Sequence, residues 1–152
     1  MPQTVSSWLG AAPVVILMYS SEVRKLLMNP KNGPKDAYYN VQGYHESREA
    51  CKNSPERVSS RRIRFKLLIE NDCIKEARVE SFGCPVTMAA GKWCIIEMVG
   101  MAVEDVRAFF TVENIAAGLG MAWSSGLSDG CLTANLALLN ALNNYESLES
   151  SS

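Results

Sequence analysis

The stretch IRFKLLIENDCIKEARVESFGCPVTMAAGK, Ile63 to Lys92, decides the fold that we expect for this chain. Hydrophobic and charged residues alternate in its first part, which indicates a half-buried strand, and a second such strand follows the turn at Asn71-Asp72. An antiparallel hairpin is therefore predicted. A helix is predicted directly after it, because Gly83-Cys84 is followed by Pro85 and proline favours the first position of a helix.

Further helices are predicted on both sides of this stretch. Ser20-Ser21 can cap a short helix that ends at Asn29-Pro30, and Thr111 can cap another that runs to Gly118 or Leu119. The last helix of the chain is expected to begin at Cys131. Residues 30–60 are expected to be mostly loop, with a strand only near residues 38–41. Because strands precede helices, the predicted class is α+β, a small antiparallel sheet of about three strands covered by helices on one face.

The composition excludes several classes of protein. The chain has 152 residues, enough for one domain, with 47% hydrophobic and 20% charged residues and a formal net charge of −1. No overall charge attracts nucleic acid or a membrane surface, and the apolar stretch Trp8 to Tyr19 is shorter than the roughly 20 residues that span a bilayer. Five cysteines without a CxxC pair do not form a secreted disulfide framework. We therefore expect a cytoplasmic protein with neither nucleic acid nor membrane as partner.

Two cysteines, Cys84 and Cys131, each follow a glycine where a helix is predicted to begin. A thiol at a helix N-terminus faces unpaired N–H groups and the positive end of the helix dipole, so its thiolate form is favoured. Thiolates bind metal ions and carry persulfide sulfur. A compact fold could bring the two residues together, so they are the candidate site.

Other residues have simpler interpretations. A single cysteine is more often a packing residue than a ligand, and Cys73 and Cys94 are interpreted as structural. The only histidine, His45, is interpreted as a solvated loop side chain, with a role as a substitute ligand as the alternative. The basic run between Arg57 and Lys66 is interpreted as a solvated strand face, although it would also suit an acidic partner or a nucleic acid.

The order of these segments resembles the NifU/IscU-type iron–sulfur cluster assembly scaffolds. Met18 to Gly33 is similar to the family's opening helix and its Asn-Pro-Lys/Arg-Asn turn, and Ile63 to Lys92 is similar to its hairpin and Gly-Cys helix. Thr111 to Gly120 and Cys131 to Tyr145 match its closing helices. The resemblance implies an N-terminal extension at residues 1–17 and a scaffold domain at 18–145. The run ESLESSS at residues 146–152 is interpreted as a disordered tail.

The resemblance implies a non-enzymatic scaffold. Such a protein builds a [2Fe-2S] cluster from iron and from sulfur that a cysteine desulfurase delivers, and passes it to acceptor apo-proteins. Cys84 and Cys131 match the second and third cysteine ligands of the family, and Cys51 is the candidate for the first. Asn53 then takes the place of an aspartate that is typical of the family. Zn²⁺ suits the same thiolates and is an alternative occupant.

Several departures from the family pattern keep alternatives open. Cys51 lies several residues too far from Cys84, and counting back without a gap reaches Val58, which has no thiol. Gly130 stands where one branch of the family has a histidine, so the fourth ligand is not identified. The alternatives are a zinc-bound sulfurtransfer partner of a cysteine desulfurase and a degenerate relative that acts only by protein–protein interaction. We expect a monomer or a weak homodimer.

Overall fold

The computed structural model of the protein describes residues 20–51, 54–121 and 128–151. These ranges form a three-stranded sheet and five helices, which confirms the predicted α+β class. The elements in chain order are α1 (Ser21–Met28), β1 (Val41–Cys51), β2 (Ser54–Glu70), β3 (Cys73–Phe82), α2 (Pro85–Met98), α3 (Val103–Phe109), α4 (Val112–Gly118) and α5 (Ser128–Ser151). In the described ranges, no helix is both long and apolar enough to cross a membrane.

The sheet is antiparallel and has the strand order β1-β2-β3. The predicted hairpin is present, with β2 and β3 joined by a two-residue turn. Asn71 and Asp72 in that turn have φ values of 53° and 57°. Two successive residues with positive φ are typical of the type I′ turn, whose twist matches that of the flanking strands.

Residues 42–51 and 54–60 differ from the prediction, because they form strands instead of loop. β1 pairs with β2 from Val41, opposite Leu67, to the end of the strand at Cys51. The C-terminal helix also packs against β1, and the side-chain amide of its Asn140 donates a hydrogen bond to the backbone carbonyl of Tyr44 at 2.8 Å. These are tertiary contacts, and they outweigh the weak strand propensity of the segment.

All the large helices pack on one face of the sheet, where the core lies. α5 packs against β1 and β2, and α2 packs against β3. Alternate residues of β2 and β3 point into this core, as the sequence pattern predicted. The largest fully buried side chains are Phe65, Phe110, Ile63, Leu67, Ile74, Met98, Ile115, Leu119, Leu138, Leu142, Val23 and Val79.

The predicted N-cap residues of α1 and α4 are confirmed. The Ser20 hydroxyl accepts a hydrogen bond from the N–H of Val23 at 3.1 Å. The Thr111 hydroxyl accepts one from the N–H of Asn114 at 3.2 Å. Each cap satisfies a backbone donor that the helix itself leaves unpaired.

The last helix is longer at both ends than expected. It begins at Ser128, which places Cys131 fourth in the helix instead of at its start. It also continues through Ser151, so residues that we expected to form a disordered tail are helical. Arg107 of α3 donates to the Glu146 carboxylate at 2.7 Å, which ties the extra turns to the domain. The predicted extension at residues 1–17 lies outside the described residues.

Candidate functional site

The starts of α2 and α5 meet at one point on the same end of the sheet. α2 begins directly after β3, with Cys84 as its N-cap residue and Pro85 as its first residue, as predicted. The first turn of α5 passes so close that a Cβ atom on Gly130 would lie 2.7 Å from the backbone N and 3.0 Å from the Cα of Thr87. Only glycine fits this contact, and it brings the two predicted thiols, Cys84 and Cys131, into one neighbourhood.

Cys84 is the accessible thiol of the pair. It is half-buried, and its sulfur lies 3.2 Å from the hydroxyl oxygen of Thr87. Partial burial raises the pKa of Cys84, but hydrogen bonds from Thr87 and the guanidinium of Arg61 outweigh it, so that the pKa is lowered below the ordinary thiol value. The prediction that the start of α2 favours a thiolate is therefore met, with two side chains adding to the effect of the helix.

Cys131 has the opposite character. Its side chain is fully buried in the core. Burial raises its pKa to about 11, and the negative charge of a nearby Cys84 thiolate contributes to the increase. The expectation that Cys131 would favour the thiolate is therefore wrong. The reason is that α5 starts three residues earlier than predicted, which places the residue on the inner side of the first turn.

Arg61 is a site residue that the sequence analysis assigned to a solvated face. It lies on β2, and its guanidinium is 3.9 Å from the carboxylate of Asp129 in the first turn of α5. It thus links the sheet to α5 beside Cys84. The sequence does indicate this position, because Arg61 lies two residues before Ile63 and four before Phe65. In a strand, such residues share one face, and here that face points toward the helices.

Thr87 is the second residue that the sequence analysis missed. It is fully buried, and its hydroxyl contacts the sulfur of Cys84. Its backbone packs against Gly130. Its position three residues after an N-cap places its backbone N–H and side chain on the side of the cap. That spacing is the signal by which it could have been found.

The backbone of Cys51 lies away from this group, along the first two strands. Cys51 ends β1 and pairs with Ser54 at the tip of the β1–β2 hairpin. It lies four positions beyond Ser47, the partner of Arg61, which is about 13 Å along a strand. Val58 lies inside the ladder opposite Ala50, and Asn53 falls outside the described residues. Cys51 and Asn53 therefore stay predictions.

The structure also places the residues with simpler interpretations. Cys94 is fully buried in α2, in keeping with a packing role, and Cys73 is half-exposed at the start of β3. His45 lies on β1 opposite Ile63, so the loop expected for it is wrong. Within the parts of the chain that are described, no three Cys, His, Asp or Glu side chains come close enough to hold a metal ion.

Known proteins were compared with the chain in sequence and in structure. The sequence pattern of the family described as "NifU-like N terminal domain" matches residues 18–151. No curated protein matches the chain in sequence. A solved structure with a similar fold is that of a nitrogen-fixing NifU-like protein (N-terminal) from Brucella abortus. Its TM-score is 0.56 at 9% identity, over 88% of this chain and 95% of that one.

A second solved structure is that of a putative iron–sulfur cluster assembly scaffold protein for the SUF system from Fervidobacterium islandicum. It is 14% identical, with a TM-score of 0.47, over 91% of this chain and 98% of that chain. The family match extends from before α1 to the last residue of α5, and the resemblance seen in the sequence is thereby confirmed. The protein belongs to the family of NifU-like N-terminal domains, the scaffold family of iron–sulfur cluster assembly.

Proposed function

We propose that the protein is a non-enzymatic scaffold or carrier that assembles a [2Fe-2S] cluster, or binds its iron, and passes it to acceptor apo-proteins. The cluster is its cargo, and a cysteine desulfurase is the proposed source of the sulfur. We place it in the cytoplasm, where thiols stay reduced. The observation that carries the proposal is the contact of Gly130 with Thr87, because it joins the two helix starts that bear Cys84 and Cys131.

The set of ligands is incomplete in the described site. Iron–sulfur clusters are usually held by four cysteine thiolates. Cys84 and Cys131 are the two proposed ligands in this site, and the buried Cys131 has to become accessible before it can bind. Cys51 at the hairpin tip is the proposed third ligand, and a second copy of the chain in a weak homodimer could supply others. An incomplete set binds its cargo less firmly, which suits a protein that has to release it.

Anaerobic reconstitution with ferrous iron and sulfide tests this proposal. Iron and acid-labile sulfide would be counted per chain and the visible absorption recorded for three variants, Cys84→Ser, Cys131→Ser and Cys51→Ser. We expect the first two to lose most of the bound iron and sulfide, and the third to lose it if Cys51 is a ligand. Cys73→Ser is the matched control, since Cys73 is also a free, half-exposed cysteine. Full loading of Cys84→Ser and Cys131→Ser would contradict the proposal.

The contrast between the two thiols favours a second candidate function, the acceptance of sulfur from a cysteine desulfurase. Cys84 is accessible and has a lowered pKa, whereas Cys131 is buried. The Cys84 thiolate would attack the terminal sulfur of a desulfurase persulfide. A new S–S bond forms at Cys84 while the bond to the desulfurase cysteine breaks, and the desulfurase cysteine leaves as a thiolate. No electrons are gained or lost overall.

Mass spectrometry after incubation with a desulfurase and cysteine separates the two functions. Sulfur acceptance predicts that Cys84 gains the mass of one sulfur atom, in protein that contains zinc or no metal. The scaffold function predicts bound iron and sulfide in reconstituted protein. A sulfur gain that persists in Cys84→Ser would exclude Cys84 as the acceptor.

A further inference from the structure

The face of the sheet opposite the helices carries a groove that the site does not use. The groove has a volume of about 480 Å³ and is lined by Tyr44, Arg62, Arg64, Glu80, Ser81 and Phe82. We call it the open-face groove. Tyr44 pairs with Arg64 across the first two strands, and Arg62 pairs with Phe82 across the second and third. Its residues therefore come from all three strands.

The open-face groove has more cations than its carboxylates can neutralise. Glu80 is shared by three cations: Lys66 at 3.2 Å, Arg64 at 3.8 Å and Arg78 at 3.9 Å. Glu46 stands opposite Arg62 across the first two strands, but its carboxylate pairs with Arg48 at 2.6 Å. Among the described residues, no carboxylate forms an ion pair with Arg62. The excess is local, since the whole chain has a formal net charge of −1. A negatively charged group is therefore the complementary ligand.

The two aromatic rings of the groove are covered by arginines. The guanidinium carbon of Arg62 lies 4.6 Å from the ring centre of Phe82, and that of Arg64 lies 4.8 Å from the ring centre of Tyr44. An arginine that lies over a ring still has free N–H groups, which can donate hydrogen bonds to a carboxylate. The same contact covers one face of each ring, which reduces the ring surface on which bases of single-stranded nucleic acid would stack. Phe82 keeps enough exposed surface to contact an apolar side chain. The arrangement thus favours carboxylates over bases.

The groove also offers apolar surface close to the candidate site. The side chain of Phe82 is 55% exposed, and the residue lies two positions before Cys84. Arg62 follows Arg61, which contacts Cys84 and Asp129. The open-face groove thus extends to the end of β3 from which the chain continues to Cys84.

We propose that the open-face groove binds an acidic segment of a partner protein, with carboxylates on Arg62 and Arg64 and an apolar side chain against Phe82. This inference is independent of the cargo of Cys84. It concerns recognition of a partner at the sheet, and it can be tested on protein that carries neither metal nor persulfide.

The probe is a fluorescein-labelled peptide of ten residues, glutamates with one central phenylalanine, titrated with the full chain and followed by fluorescence anisotropy. We expect the double variant Arg62→Glu/Arg64→Glu to weaken binding by at least about tenfold, because two attractive contacts become repulsive. Lys25→Glu/Lys75→Glu is the matched control: it makes the same change of four charge units at exposed positions that do not line the groove, and its affinity should stay within about twofold. An equal loss in both variants, or no binding to the parent chain, would overturn the proposal.

Further measurements distinguish an acidic peptide from two other possible ligands of the open-face groove, a single-stranded nucleic acid and a second copy of the chain. Backbone amide shifts caused by the peptide should be confined to residues 42–46, 62–66 and 78–82, with circular dichroism confirming that the variants fold. Tighter binding of a single-stranded DNA decamer than of the peptide would identify a nucleic-acid surface and overturn the proposal. Self-association that the double variant abolishes would do the same in favour of a second copy of the chain.

Discussion

The two helix starts of the site both carry a Gly-Cys pair, but their thiols differ in exposure and in pKa. At the start of α2, Cys84 follows Gly83, is half-exposed and has a pKa below the ordinary value. At the start of α5, Cys131 follows Gly130, is fully buried and has a pKa of about 11. A glycine before a cysteine therefore does not decide whether the thiol is reactive.

The difference comes from where each residue lies relative to its helix and to the core. Cys84 is the N-cap, so it stands outside the first turn with Arg61 and Thr87 beside it. Cys131 is already inside the first turn, where the sulfur loses its hydration without gaining a cation. The stabilisation that a helix N-terminus gives to a thiolate is about 0.3–1 kcal/mol at exposed positions, and burial easily exceeds it.

The largest effect expected from this contrast is in the rate of alkylation. At pH 8 a thiol with a pKa near 11 is about 0.1% ionised, whereas a thiol with a pKa below 9 is at least about 10% ionised. We expect iodoacetamide to modify Cys84 at least about a hundredfold faster than Cys131 in the folded protein. As the pH rises, the rate at Cys84 should level off first, and the rate at Cys131 should still increase above pH 10.

Mass spectrometry of the digested protein measures both rates in one sample. Cys94 is the internal control for a thiol that burial keeps protonated, since burial raises its pKa well above the ordinary value. If Cys131 reacts within tenfold of Cys84 at pH 8 while Cys94 stays unmodified, the contrast between the two helix starts is not real.

The predicted parts of the fold are those specified by neighbouring residues. The caps at Ser20 and Thr111 and the hairpin turn at Asn71-Asp72 depend on a few adjacent side chains, and all are present. β1 was missed because its helix-facing residues include Gly43 and Ser47, which give no hydrophobic alternation. Gly43 is needed there, since a Cβ atom would lie 2.2 Å from the backbone N of Ala141 in α5. That requirement comes from a helix far away in the sequence.

In the candidate site, too, some properties are set by neighbouring residues and others by residues distant in sequence. The chemistry of the thiols and the N-cap position of Cys84 follow from local sequence. The burial of Cys131 and the ion pair between Arg61 and Asp129 arise only when α5 meets the sheet and α2. Three segments distant in sequence have to be placed together before these properties exist, so no local pattern could predict them.

Gly130 is the residue on which the contact between the two helix starts depends, and Gly130→Ala tests it. Alanine in a helix is usually more stable than glycine by about 1 kcal/mol. Here the added methyl group would lie 2.7 Å from the backbone N of Thr87, so we expect a net loss of about 1–3 kcal/mol in the free energy of unfolding in urea. The first turn of α5 should move outward, and alkylation of Cys131 should become faster.

Leu132→Ala is the control for this variant, because Leu132 lies in the same part of α5 and is 43% exposed. Its effect on the free energy of unfolding should stay near 0.5 kcal/mol or below. A gain in stability for Gly130→Ala would show that the two helices do not touch there.

The smallest expected effect concerns Arg61, which favours the Cys84 thiolate and joins β2 to α5. Arg61→Gln removes the pair with Asp129, a contact at 3.9 Å, and should lower the free energy of unfolding by up to about 1 kcal/mol. Because a cation that favours the thiolate is lost, the pKa of Cys84 should rise and its alkylation at pH 7 should slow.

Arg62→Gln is the control, since Arg62 is the next residue along β2 and its guanidinium lies over Phe82. If both variants gave the same pH profile for Cys84, the low pKa would belong to the start of α2 and Thr87 alone. The two helix starts would then differ only in burial, and Arg61 would be a structural link and not part of the thiol site.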